Sequence, residues 1–68
     1  MPDVVAITLR HAVPRRMTAG FSGWEIDSHD DRTVLRRVDA TAAEIHAALV
    51  EVGDLGLELE SLRRLEPA

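Results

Sequence analysis

The side chains able to do chemistry in these 68 residues are three histidines, twelve carboxylates and eight arginines, with no cysteine and no lysine among them. His29-Asp30-Asp31 sets an imidazole beside two carboxylates, a donor set that suits a divalent cation. The same run reads more simply as the solvated tip of a hairpin, because metal cages draw ligands from several elements, and no metal is assigned. His46 stands next to Ile45 at the border of an apolar helical stripe, where an imidazole can titrate near neutral pH or simply pack. His11 has no chemical partner near it in sequence.

No nucleophile is spaced against a base. Gly20-Phe21-Ser22-Gly23-Trp24 has the look of a nucleophile elbow, but its second glycine falls one position early and no helical pattern follows. General acid-base work would need a buried carboxylate or histidine, which spacing alone does not supply. The expectation is a non-catalytic protein with no catalytic residues and no cofactor. Phe21 and Trp24 are the only large aromatics, and with Met17 and the His46 side of the helix they form the candidate pocket or interface. Core filling is the plainer role for the two rings in so small a domain.

Arginine doublets stand at Arg15-Arg16, Arg36-Arg37 and Arg63-Arg64, and guanidinium forks match phosphate oxygens. In a strand, neighbouring residues point to opposite faces, so a doublet is not a patch, and the carboxylates outnumber the arginines as ion-pair partners. The net charge of -4 also opposes a nucleic-acid partner, and neither a phosphate-cradling glycine loop nor a base-stacking aromatic strand is present. Exclusive use of arginine fits the codon bias of a GC-rich bacterial genome.

The elements that must position these residues follow from periodicity. At 68 residues, 46% of them hydrophobic, one domain spanning residues 1–68 is expected, near the lower limit of what a lone core can hold without disulfides. No apolar run reaches the roughly 18 residues of a membrane span and no secretory leader pattern is visible, so a cytoplasmic location is expected. Residues 4–10 form a first strand, with Val5, Ile7 and Leu9 on one face. Pro14 interrupts, and the segment after it carries two glycines and allows at most a turn or two of helix. Trp24 and Ile26, then residues 33–38, make a hairpin with His29-Asp30-Asp31-Arg32 between its arms.

Thr41-Ala42-Ala43-Glu44 has capping-box spacing and opens a helix over residues 42–55. Ala42, Ile45, Ala48, Leu49 and Val52 form its apolar stripe, with Glu44, Ala47 and Glu51 opposite. Gly56 ends it as the left-handed residue of a Schellman cap, with Leu57 set to touch Val52. Alternation at Leu57 and Leu59 breaks at Ser61-Leu62, which predicts a last strand with a bulge near Glu60.

The order strand, connection, strand, strand, helix, strand predicts an α+β fold: a ferredoxin-like βαββαβ unit whose first helix has shrunk to a turn, with a four-stranded antiparallel sheet and one main helix. The helix is expected to join parallel neighbours. Met17, Phe21 and Trp24, or another molecule, would cover the part of the sheet left by the missing helix, and the opposite sheet face would carry Val4, Ala6, Thr8 and Leu62, an apolar surface that invites a partner.

Ala43-Glu44-Ile45-His46-Ala47-Ala48-Leu49, then Gly53-Asp54-Leu55-Gly56-Leu57 and Ser61-Leu62-Arg63-Arg64-Leu65, resemble the C-terminal half of a family of short, stand-alone proteins of unknown function common in actinobacteria. The resemblance spans residues 39–67. This chain departs from the family pattern in having Ala47 where a glycine is usual, and Glu58 and Glu60 where the last strand is usually more apolar. The resemblance implies that helix, stop and last strand form one unit; it implies no activity and no cofactor. The leading expectation is a module that self-associates, or binds a protein partner, through its sheet; the alternative is a small-molecule sensor with a pocket beside the shortened connection.

Overall fold

Strand β1 (Val4–Leu9) is the only strand paired on both sides by strands that are themselves far from it in sequence, and its hydrophobic alternation explains that position. Val5, Ile7 and Leu9 are buried while Val4, Ala6 and Thr8 are half-buried on the other face. The structure is a computed structural model and describes residues 3–65, so the last two residues of the family resemblance, 66 and 67, lie outside the described residues.

After β1 come a short 3-10 segment (Arg15–Phe21), β2 (Glu25–His29), β3 (Arg32–Val38), α1 (Ala42–Asp54) and β4 (Leu59–Leu65). The sheet order is β2-β3-β1-β4 and every pairing is antiparallel. This is the ferredoxin-like βαββαβ order with its first helix reduced to the 3-10 segment. β3 and β4 both run antiparallel to β1, so α1 does join strands of like direction. They are not neighbours, however: β1 lies between them, and the expected adjacency is corrected on that point.

The β2–β3 turn is tighter than the sequence pattern implied. His29 pairs with Arg32, leaving Asp30 (φ 49°) and Asp31 (φ 60°) as a two-residue turn with both backbones left-handed. That is the type I′ geometry that matches strand twist, and aspartate tolerates it better than most residues with a Cβ.

Both predicted helix ends are formed. The Thr41 hydroxyl accepts from the Glu44 amide at 3.1 Å, and the Glu44 carboxylate accepts from the Thr41 amide at 2.8 Å. At the other end the Leu57 amide donates to the Val52 carbonyl (2.9 Å) and the Gly56 amide to the Gly53 carbonyl (3.1 Å), with Gly56 at φ 69°. These two bonds are the Schellman pair, and they consume carbonyls that a helix end otherwise leaves bare.

Two parts of the stripe differ from expectation. Ala42 is exposed, at the first position of α1. Glu44 and Glu51 are half-buried rather than turned to solvent, because that flank of α1 faces the 3-10 segment: Glu51 lies against Gly20. The core is Val5, Ile7, Leu9, Val13, Phe21, Leu35, Ala48 and Val52, with Met17, Trp24, Ile45 and Leu49 packed against it. Met17, Phe21 and Trp24 thus fill the place of the absent helix, as the sequence pattern predicted.

One fully buried polar side chain holds the connection after β1. The Thr33 hydroxyl accepts from the Val13 amide and donates to the His11 carbonyl, both at 2.9 Å, which satisfies two backbone groups as the chain leaves the sheet. The bulge also falls where the pattern broke: Thr8 pairs with Ser61 but Leu9 pairs with Leu59, so Glu60 is the extra residue.

Replacing Gly56 by alanine should cost about 1 kcal/mol from strain alone, because a Cβ there meets open space and only the positive φ is unfavourable. Thermal melts of the variant should show a drop in Tm of several degrees.

Candidate functional site

The residues singled out from sequence do not converge. Phe21 is buried in the core, Met17 and Trp24 are half-buried around it, and His46 is exposed. At 100° per residue His46 lies roughly 160° around the helix from buried Ala48. It belongs to the outer surface rather than to the stripe border, and the pocket expected on its side of the helix is corrected accordingly. The turn histidine is equally peripheral: His29 Nε2 is 3.1 Å from Asp30 Oδ2 and both side chains are about four-fifths exposed. Among the described residues no group of three or more potential ligands is placed to hold a metal ion.

Two open depressions flank the 3-10 segment. One, of about 300 Å³, is lined by Val13, Arg15, Thr18, Ile26 and Ser28. The other, of about 200 Å³, runs from Trp24 past Gly20 and Ser22 to Arg37, Glu44, Ala47 and Ala48. Its charged wall is an ion pair between Arg37 and Glu44, both roughly 30% exposed. Gly23 makes this geometry possible twice over. Its φ is 87°, and a Cβ there would overlap the Arg37 guanidinium.

The Thr41 amide is the main cause that holds the Glu44 carboxyl below its usual range; partial burial opposes it, and the Thr41 hydroxyl and Arg37 reinforce it. A carboxyl with a lowered folded pKa stabilises the fold in full above its unfolded value, and that contribution is lost as pH falls through the folded value. Glu44→Gln keeps a side chain able to cap but removes the charge. The gap in Tm between wild type and Glu44→Gln should therefore close as the pH is lowered from neutral to about 3.

The arginine doublets behave as strands require, with one consequence that only the register creates. β1 lies between the two strands that carry them, so Arg36 and Arg63 flank Ala6 on the open face while Arg37 and Arg64 flank Val5 on the helix side. Among the described residues carboxylates answer three of the four: Asp27 for Arg36 (3.9 Å), Glu44 for Arg37 and Asp3 for Arg64 (3.6 Å). The open face is accordingly mixed, with Val4, Val34, Val38 and Leu65 set among arginines, Glu25 and Asp27.

Leu62 is not part of that face. It pairs with Ile7 and so lies on the helix side, because the bulge at Glu60 resets the alternation of β4. Although Ile7 is fully buried, Leu62 is 40% exposed: α1 covers β1 and stops short of β4. Leu59 and Leu65 are exposed to a similar degree, so three of the five large exposed apolar residues among the described ones lie on one edge strand. The Leu59, Leu62, Leu65 spacing was the available signal. A step of three has no meaning within a regular strand, which hid it.

The two sheet edges differ sharply. β2 is five residues long and offers Glu25, Asp27 and His29 to solvent, the charged and short edge that resists pairing. β4 is seven residues long and carries the three leucines. No family model matches the chain, and no curated protein or solved structure is significantly similar to it. No helix of the described residues is long and apolar enough to cross a membrane.

Proposed function

We propose that this chain is a non-catalytic interaction module that associates with a second copy of itself through the β4 margin of its sheet, in the cytoplasm. The observation that carries the reading is an edge strand, unpaired on its outer side among the described residues, with Leu59, Leu62 and Leu65 each 40–46% exposed, in a sheet whose β2 edge is short and charged. A seven-residue edge with free N–H and C=O groups, its three leucines set among Glu60, Arg63 and Arg64, is a template for another strand. A small domain with one helix over four strands also gains by sharing a core.

Magnitude sets the kind of complex. Each leucine leaves roughly half its side chain in water, about 1 kcal/mol of unrealised burial. Two copies contribute six such residues, against an association cost of about 4–15 kcal/mol, so backbone pairing must supply the rest. The expected complex is weak and concentration-dependent. Size-exclusion chromatography with light scattering should give a mass rising from monomer toward dimer between low and high micromolar protein. A strictly monomeric mass across that range overturns the reading.

The competing reading is a small-molecule sensor, and one observation favours it: Trp24 lines a depression beside the Arg37–Glu44 pair. At about 200 Å³ and open to solvent, that depression is smaller than the roughly 300–1,000 Å³ of enclosed ligand sites. Trp24 is the only tryptophan, so its emission reports on this site alone. With a panel of small metabolites the emission should stay constant; a saturable shift with one of them would put the sensor reading first.

A further inference from the structure

Apart from the β4 margin, we propose that the open face of the sheet stacks on the open face of a second copy, about a two-fold axis that runs along the strands between β3 and β1. The core, with α1 and the 3-10 segment over it, lies on the other side of the sheet. On the open face Val38 and Leu65 are left 58% and 46% exposed, beside half-buried Val4, Ala6 and Val34. Register aligns this face in rows across the strands, since residues paired directly in a ladder share a face. One row reads Glu25, Arg36, Ala6 and Arg63 from β2 to β4. Asp27, Val34, Thr8 and Ser61 form the row on one side of it, and Val38, Val4 and Leu65 the row on the other. Carboxylates therefore stand along the β2 margin and Arg63 stands at the β4 margin. Among the described residues neither Glu25 nor Arg63 has an ion-pair partner.

That separation of charge is self-complementary. A two-fold axis parallel to the strands stacks every row on itself with its order reversed, so the copies have no freedom to slide along the strands. Placed between β3 and β1, the axis sets Glu25 of each copy over Arg63 of the other, two side chains long enough together to bridge the roughly 10 Å between packed sheets. Arg36 falls over the small side chain of Ala6, and Asp27 of its own copy still faces it at 3.9 Å. In the flanking rows Val38 covers Val4, Val34 covers Thr8, and the Ser61 hydroxyl donates to Asp27 of the other copy. Sheet twist sets aligned sheets at about 30°, which displaces the margins by only about one residue, within reach of glutamate and arginine. The other placements fail on charge: an axis over β1 stacks Arg36 on Arg63, one over β3 stacks Arg36 on Arg36, and one across the strands stacks the acidic β2 on itself. The face offers roughly 400 Å² a copy from strand spacing and rise, so the pair is weak and its charges select geometry more than affinity.

The stack is tested in a Leu62→Lys background, because Leu62 lies on the helix side of β4, where a charge opposes the edge contact and leaves the open face untouched. Sedimentation equilibrium up to millimolar protein should show that this variant still dimerises. Adding Glu25→Arg or Arg63→Glu, both at exposed positions, should weaken that dimer at least tenfold, since each sets like charges opposite. An equimolar mixture of the two charge variants should regain the starting affinity to within about threefold, because each carries the sign that the other lacks. A Leu62→Lys chain that stays monomeric overturns the stack and leaves the β4 contact to be judged by the wild-type mass alone. Charge variants without effect, or a mixture no tighter than its components, overturn it equally. Should Leu62→Lys lose the wild-type circular dichroism spectrum, Leu62→Ser carries the same series with the same outcomes.

Discussion

Burial of Val5, Ile7 and Leu9 along the inner face of β1 is the interaction on which the other elements depend. Each of the three is at most 1% exposed, which requires strands on both sides and cover above. Leu35 on β3 stands opposite Ile7 and is itself sealed from water. The cover comes from two unequal pieces. α1 contributes Ala48 and Val52, and the 3-10 segment contributes Phe21, whose ring does in one residue what a missing helix turn would do in several.

That inequality propagates. Because α1 is the only true helix among the described residues, its flanks are used as fully as its stripe, and Glu44 and Glu51 are drawn into contact with the 3-10 segment and its surroundings. Glu44 acts both in the capping box and as the partner of Arg37, so the start of the helix is tied to β3 by charge as well as by chain. Gly20 and Gly23 are small for the same reason: the carboxylate of Glu51 and the guanidinium of Arg37 occupy the space that side chains there would take. What the helix does not reach is β4. The residual exposure of Leu59 and Leu62 is therefore a direct result of covering four strands with one helix.

Local signals in the chain were sufficient for the elements themselves. Thr41 and Glu44, Gly56 with Leu57, the alternation of Val5, Ile7 and Leu9, and the break of phase at Ser61 each act over a few residues, and each formed the structure its spacing implied. The order of elements along the chain and the absence of a long first helix were legible for the same reason, since a connection broken by Pro14 and two glycines has no alternative. The site was much less legible. His46 follows half-buried Ile45 directly in sequence yet lies on the outer surface, and the bulge at Glu60 shifts the parity of β4 by one, which sets Leu62 on the helix side and not with Val4, Ala6 and Thr8.

Sequence by itself thus determined where helix and strands begin and end, and which face of β1 is apolar, because those depend on hydrogen bonds and periodicities within one segment. Tertiary structure decided three things that no segment contains. It set Arg36 beside Arg63 across Ala6, it buried Thr33 under the His11 to Val13 connection, and it left β4 as the uncovered edge. Each of these is a relation between strands distant in the chain, fixed by register and by how far one helix can extend over a sheet.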